Sequence, residues 1–270
     1  ERVLLLGNEE AKNNNKSLID KDSIEAVVNQ CSEIEKDYLE MYEEKKIILD
    51  IEDRIIGSVN GLSVIDFGYM SFGKPMRITC TCYKGSGKIM DAQRESNLSG
   101  NIHNKSLNIL RGFLSSFFNS YEALPVDFQL SFEQLYGKIE GDSASVAEVI
   151  AMISSLSKIP VDQSIAVTGS LNQFGQVQPI GGVNEKIEGF FNVCKKIGTY
   201  IGKAVLIPES NKDELILNSE IEEAVRKGEF KIYLMKDINE ALSTLLLNDT
   251  MSLEDIGNKI SEEIKKFKEN

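Results

Sequence analysis

Histidine is nearly missing from this chain: His103 is the only one in 270 residues. Its scarcity excludes zinc motifs built on two histidines, and any Ser-His or Cys-His mechanism would have to use this one ring. Cysteine is sparse as well, with Cys31, Cys80, Cys82 and Cys194 scattered along the sequence. A chain of this size needs no disulfide staples, so a reducing, cytoplasmic setting is expected. No segment approaches the ~20 uninterrupted apolar residues of a membrane span. With 41% hydrophobic and 27% charged residues, the composition is that of a soluble globular protein. Positive charge is in deficit: 30 Lys and Arg against 42 Asp and Glu leave a formal charge of −12. That field repels phosphate backbones, and nucleic acid is not expected as a direct partner. Position 1 is Glu and no leader pattern follows, so the chain reads as a piece of something longer.

The first 20 residues hold an apolar start, Val3 to Leu6, and a polar run, Asn13 to Lys16, that reads as a loop. From Asp22, the residues Ile24, Val27, Val28, Cys31, Ile34 and Tyr38 recur at helical spacing. After Lys46 the pattern changes to short β-branched runs, and Ile47 to Ile56, Val59 to Phe67 and Met76 to Tyr83 suit strands. Cys80 and Cys82 then share one strand face, where small core residues are as good a reading as any, and too few ligands stand nearby for a metal. Gly68 to Pro75 comes within one residue of a phosphate-binding loop. Pro75 supplies neither hydroxyl nor N–H, so a turn between strands is expected and no ATP site. A helix with Ile102, Ile109, Leu110, Phe113, Leu114 and Phe117 on one side follows, carrying His103 in its first turn. Val126 to Gln134 alternates strictly and reads as a half-buried strand.

That strand leads into the stretch that carries the chemistry, Glu140 to Lys186. It opens Glu140-Gly141-Asp142-Ser143-Ala144-Ser145 and closes Gly181-Gly182-Val183-Asn184-Glu185-Lys186. Val146, Val149, Ile150, Ile153 and Leu156 predict a helix just after Ser143, whose free N–H groups and dipole would favour an oxyanion. A serine there also suits a simple helix cap. Val183, Ile187, Phe190, Cys194 and Ile197 predict a second helix, with Lys186 in its first turn beside the apolar stripe. Opposition to the dipole and loss of hydration both favour a neutral amine, which can take a proton from serine without any histidine. A lysine snorkelling at the helix edge is the alternative.

Gly141-Asp142-Ser143-Ala144-Ser145, Thr168-Gly169 and Pro179 to Lys186, in that order and spacing, resemble the proteolytic domain of Lon-family AAA+ proteases. Val59 to Leu62, Leu98 to His103 and Ala204 to Pro208 extend the likeness over about 200 residues, Ile47 to about Asn248. The Glu-Gly-Asp-Ser-Ala-Ser form is closest to the archaeal and sporulation-type branch. The resemblance implies an α+β fold with several short sheets and packed helices. It also implies a serine endopeptidase that degrades unfolded proteins through a Ser143–Lys186 dyad, with Thr168, Glu140 and Asp142 in support. No cofactor is implied in this chain: ATP and Mg belong to an upstream AAA+ domain, and residues 1–46 resemble the end of its small domain. Residues 47–250 would be the proteolytic domain and 251–270 a closing helix, assembled as a cytoplasmic homo-hexamer. Gln129 and Ser131 stand where some Lon enzymes carry histidines, so no further catalytic histidine is expected. An inactive Lon-like binding module, or a Ser-His hydrolase using His103, are the alternatives.

Overall fold

The computed structural model describes residues 2–68, 70–118, 124–248 and 250–269. In chain order it places α1 (Arg2–Asn13), α2 (Lys21–Glu43), β1 (Arg54–Ile55), β2 (Ser58–Asp66), β3 (Ser71–Lys84), β4 (Ile89–Asp91), α3 (Ala92–Glu95), α4 (Asn101–Phe117) and β5 (Val126–Phe132). Then follow α5 (Ser145–Ser157), β6 (Val161–Asp162), β7 (Ile165–Val167), β8 (Ser170–Leu171), β9 (Val177–Gln178), α6 (Val183–Ile197) and β10 (Lys203–Pro208). A 3-10 segment at Glu209–Glu214 leads to α7 (Ser219–Arg226), β11 (Phe230–Met235), α8 (Ile238–Leu246) and α9 (Leu253–Glu269).

Seven strands form one mixed sheet in the order β11-β10-β7-β2-β3-β5-β4, and β1 with β6 and β8 with β9 make two small pairs. Alternation along the strands fills a layer on each face. Ala204 and Leu206 of β10 join Val59 and Ile78 in a core under α4, α5, α8 and α9. Val205 and Ile207 turn the other way, to Leu62, Phe190, Phe191 and Phe230 under α6 and α7. α5 lies at the centre, and every one of its 13 residues is buried. An apolar stripe is what the sequence predicted for it; enclosure by the sheet on one side and α4, α8 and α9 on others leaves it no polar face. α9 packs locally, with Ile256 and Ile260 buried in the α5 core. Ile260→Ala should therefore cost about 2–4 kcal/mol, measured by urea unfolding; a change within noise would mean the helix is not held there.

The fold is α+β, as expected, and several local readings need correction. The apolar start Val3 to Leu6 lies in α1, whose Ala11 is buried, and the helix ends at Asn13, where the expected loop begins. The run Ile47 to Ile56 is a strand only at β1. Ile47 packs with Tyr42 and Val193, and Ile51 against α6, so its apolar residues are anchors in irregular backbone. β3 starts at Ser71, so most of the expected turn at Gly68 to Pro75 is strand. Pro75 is tolerated because β5 pairs with β3 only from Ile78 onward, leaving that edge unpaired at the proline. The strand β4 and the short helix α3 were not foreseen. Cys80 and Cys82 do face the same core, burial pushes the Cys80 thiol up, and no metal-binding group occurs among the described residues. Cys31 has a side chain outside the described residues.

Candidate active site

β7 ends at Val167, where its parallel partner β2 runs on, and the chain then turns at Thr168-Gly169 into the small hairpin β8–β9. The loop before α5 docks on this turn. Gly169 N–H donates to the Ser143 carbonyl at 2.8 Å and Val146 N–H to the Gly169 carbonyl at 3.1 Å. The Thr168 hydroxyl reaches the same Ser143 carbonyl at 3.2 Å. Ser143 is thus fixed ahead of α5, with its hydroxyl free of capping: the residue at the cap is Ala144, and no side chain caps the helix. The helix-cap alternative for Ser143 does not hold.

α6 brings the second group. Its N-cap, Gly182, sits at φ +67, a left-handed conformation that a side chain would strain. The turn directs Lys186 inward instead of along the surface, and the residue is 3% exposed. Its Nζ lies 3.0 Å from Ser143 Oγ and 3.2 Å from Thr168 Oγ1. Burial pushes the amine down to about 8, against the opposing pull of Asp142 and Glu185. An amine so placed is a donor when charged and an acceptor for the serine proton when neutral.

The supporting residues divide. Thr168, fully buried, bridges the lysine and the serine backbone. Asp142 faces the other way, accepting from the Ser170 hydroxyl at 2.8 Å, and reaches Lys186 only through its field. Glu140 is exposed and accepts the Ile102 N–H at 2.9 Å, a backbone bond that holds its carboxyl below the ordinary range. It caps α4 and makes no contact with Lys186. His103 is completely buried, 3.1 Å from Asp91 Oδ2 and 3.7 Å from Glu148 Oε1. The partner of Ser143 is Lys186, and the Ser-His alternative is not favoured. Asp91 and Glu148 escaped the sequence reading. A lone acid inside an otherwise apolar helix, as Glu148 is in α5, was the available signal.

The model of the Lon protease (S16) C-terminal proteolytic domain matches residues 33–248. The chain belongs to this family. A Lon protease homolog of Escherichia coli K12 is 44% identical over 205 residues, covering 75% of this chain and 35% of its own length. One from Haemophilus influenzae is 40% identical over 219 residues, 80% of this chain and 36% of that protein. An archaeal Lon protease from Archaeoglobus fulgidus is 31% identical over 234 residues, 86% and 33%. The chain therefore spans about a third of the length of the curated relatives it matches, and the part it matches is the peptidase part of a Lon protein. Among the described residues no helix is long and apolar enough to cross a membrane.

Proposed function

We propose that this is the serine endopeptidase domain of an ATP-dependent Lon-type protease, working through a Ser143–Lys186 dyad. The observation that carries this reading is the 3.0 Å contact between Lys186 Nζ and Ser143 Oγ in a site with no histidine. Neutral Lys186 takes the serine proton as Oγ attacks a peptide carbonyl, and the ammonium returns it to the leaving amine. The acyl-enzyme is then hydrolysed by water activated in the same way. Thr168 keeps the amine aimed. The N–H groups of Ser143 and Ala144 have no acceptor among the described residues and lie at the start of α5, where an oxyanion is favoured by unpaired donors and the helix dipole.

Substrate is taken as an extended, unfolded chain. β2 pairs with β7 only at Asn60 and Gly61, and no described strand covers the same edge from Leu62 to Asp66. That edge begins beside Thr168, so a peptide added there would run past the dyad, read by its backbone more than by its side chains. ATP and Mg would act in an upstream AAA+ domain, to whose small domain residues 1–46 would belong. The assembly would be a cytoplasmic homo-hexamer.

A pH–rate profile tests the dyad. kcat/KM for an unstructured peptide should rise with a midpoint near 8, where Lys186 becomes neutral. Ser143→Ala should abolish turnover. A flat profile, or full activity in Ser143→Ala, would end the proposal.

A further inference from the structure

The dyad does not use the other buried ionisable cluster, which lies on the far side of the nucleophile loop. α4 grips that loop at successive points. Gly100 N–H donates to the Ile139 carbonyl, and Ile139 N–H to the Leu98 carbonyl, both at 2.8 Å. Ile102 N–H donates to Glu140 Oε1. The Ser106 and Ser145 hydroxyls meet at 2.7 Å, while Ser145 Oγ also donates to the Asp142 carbonyl at 2.5 Å. A hydroxyl has one proton and a carbonyl has none to give, so Ser106 must be the donor to Ser145. Ser143 thus stands between two residues, Asp142 and Ser145, that are tied to each other and, through Ser106, to α4.

What fixes α4 at this end is His103. Asp91 is a carboxylate that also caps α3, accepting from Gln93 N–H and Arg94 N–H. A carboxylate accepts only, so the ring nitrogen facing it carries the proton. The same nitrogen approaches Glu148, whose carboxyl has no hydrogen-bond partner among the described residues. Glu148 lies in the first turn of α5, and its N–H donates to the Ala144 carbonyl at 2.9 Å, next to the nucleophile. Asp91, Glu148 and Glu140 are the charged groups that face the ring. Burial works to lower the imidazole, but the Asp91 hydrogen bond and these charges outweigh it and hold it above its usual value. Burial pushes the Glu148 carboxyl up to about 7. The ring Nε2 stands between the Asp91 and Glu148 carboxyls, 3.1 Å from one and 3.7 Å from the other. That arrangement fastens α4 to α5 through one shared ring.

We propose that His103, with Ser106 one turn further along α4, is a positioning residue for the Ser143 nucleophile, acting through Asp91, Glu148 and the loop that α4 grips. It rests on the reading of Ser143 as nucleophile. His103 touches neither Ser143 nor substrate and transfers no proton in the reaction. Its effect is on where Ser143 Oγ stands relative to Lys186 Nζ.

The test separates position from folding. Active sites of the 270-residue chain are titrated with a fluorophosphonate, and peptide hydrolysis is expressed per titrated site for the parent, His103→Ala, His103→Gln and Ser106→Ala. His103→Ala should lower kcat per site about tenfold or more, with KM nearly unchanged. His103→Gln, whose amide can still donate to Asp91, should recover much of that loss. The alkaline midpoint near 8 should stay in every variant, because Lys186 remains the base. Ser106→Ala removes one hydroxyl without opening a cavity, and should show a smaller loss of the same kind even if His103→Ala does not fold. Unchanged turnover per titrated site in Ser106→Ala and in whichever His103 variants fold would overturn the proposal and leave the dyad intact. A midpoint that disappears in His103→Gln would overturn both, by making the ring the base. A parent chain that neither labels nor cleaves would remove the dyad reading, and this inference with it.

Discussion

Lys186→Met should give a protein that no longer cleaves peptides and is harder to unfold. The two effects come from one cause. Burial holds the folded-state amine near 8, against an ordinary 10.5. The unfolded chain therefore binds more protons between those values, and stability rises with pH across that window. Below about pH 8 the full cost of the buried amine is present. That drop corresponds to roughly 3 kcal/mol, at about 1.36 kcal/mol for each tenfold change in proton affinity. Methionine has similar length and no charge; it loses the bond to Ser143, which is partly exposed and can turn to water, and the bond to buried Thr168, whose hydroxyl keeps its own to the Ser143 carbonyl. A net gain of about 1–3 kcal/mol at pH 7 is expected, together with a loss of turnover on the order of 10³-fold or more. Urea unfolding of both proteins at neutral pH and near pH 10.5 checks it: the gap should narrow at the higher pH. A methionine variant that is less stable at pH 7, or that keeps its activity, would refute the account.

Gly73→Ala should misplace the same lysine from the opposite side. Gly73, on β3, lies so close to the start of α6 that a Cβ there would collide with the Glu185 carbonyl oxygen and crowd the Lys186 Cα at 3.0 Å. Gly189, one turn further along α6, meets the Gly73 backbone in the same way. Strand and helix touch backbone to backbone, so neither side has a flexible tip that could yield. An added methyl must move α6 outward, at an overpacking cost of about 1–3 kcal/mol. A shift near 1 Å at a reacting group can cost ~10²-fold in rate, and kcat should fall by about that much. Thermal unfolding and kcat, measured on the same preparation, give the two numbers. Wild-type turnover in Gly73→Ala would mean that the contact does not position Lys186.

Much of the Ser143–Lys186 pair could be read from the chain alone, because short-range rules fix both of its ends. Small residues ahead of Val146 and a Gly-Gly pair ahead of Val183 announce helix starts, and the residue types at those starts limit the chemistry. Ser143, Lys186 and Thr168 come together as the resemblance implies, at hydrogen-bond distance. The roles of Glu140 and Asp142 were less legible, since both stand beside the nucleophile in sequence while their partners, Ile102 and Ser170, are remote. The buried acids were illegible for a different reason. Asp91 reads as a cap and Glu148 as the polar face of an amphipathic helix; only the packing of three helices and a sheet around α5 shows that the helix has no such face. Tertiary enclosure also explains Ile47 and Ile51, whose spacing suggested a strand that the sheet does not continue.

The enclosure of α5 has a consequence under the proposed activity on unfolded chains. The protein's own polypeptide, once unfolded, would then be a substrate for other copies. Helices buried on every side open only with the whole domain, and α5 is the element whose N-terminal end fixes Ser143. Under that activity, opening α5 enough to expose it would also release Ser143, so a copy loose enough to be cut would have lost the means of cutting.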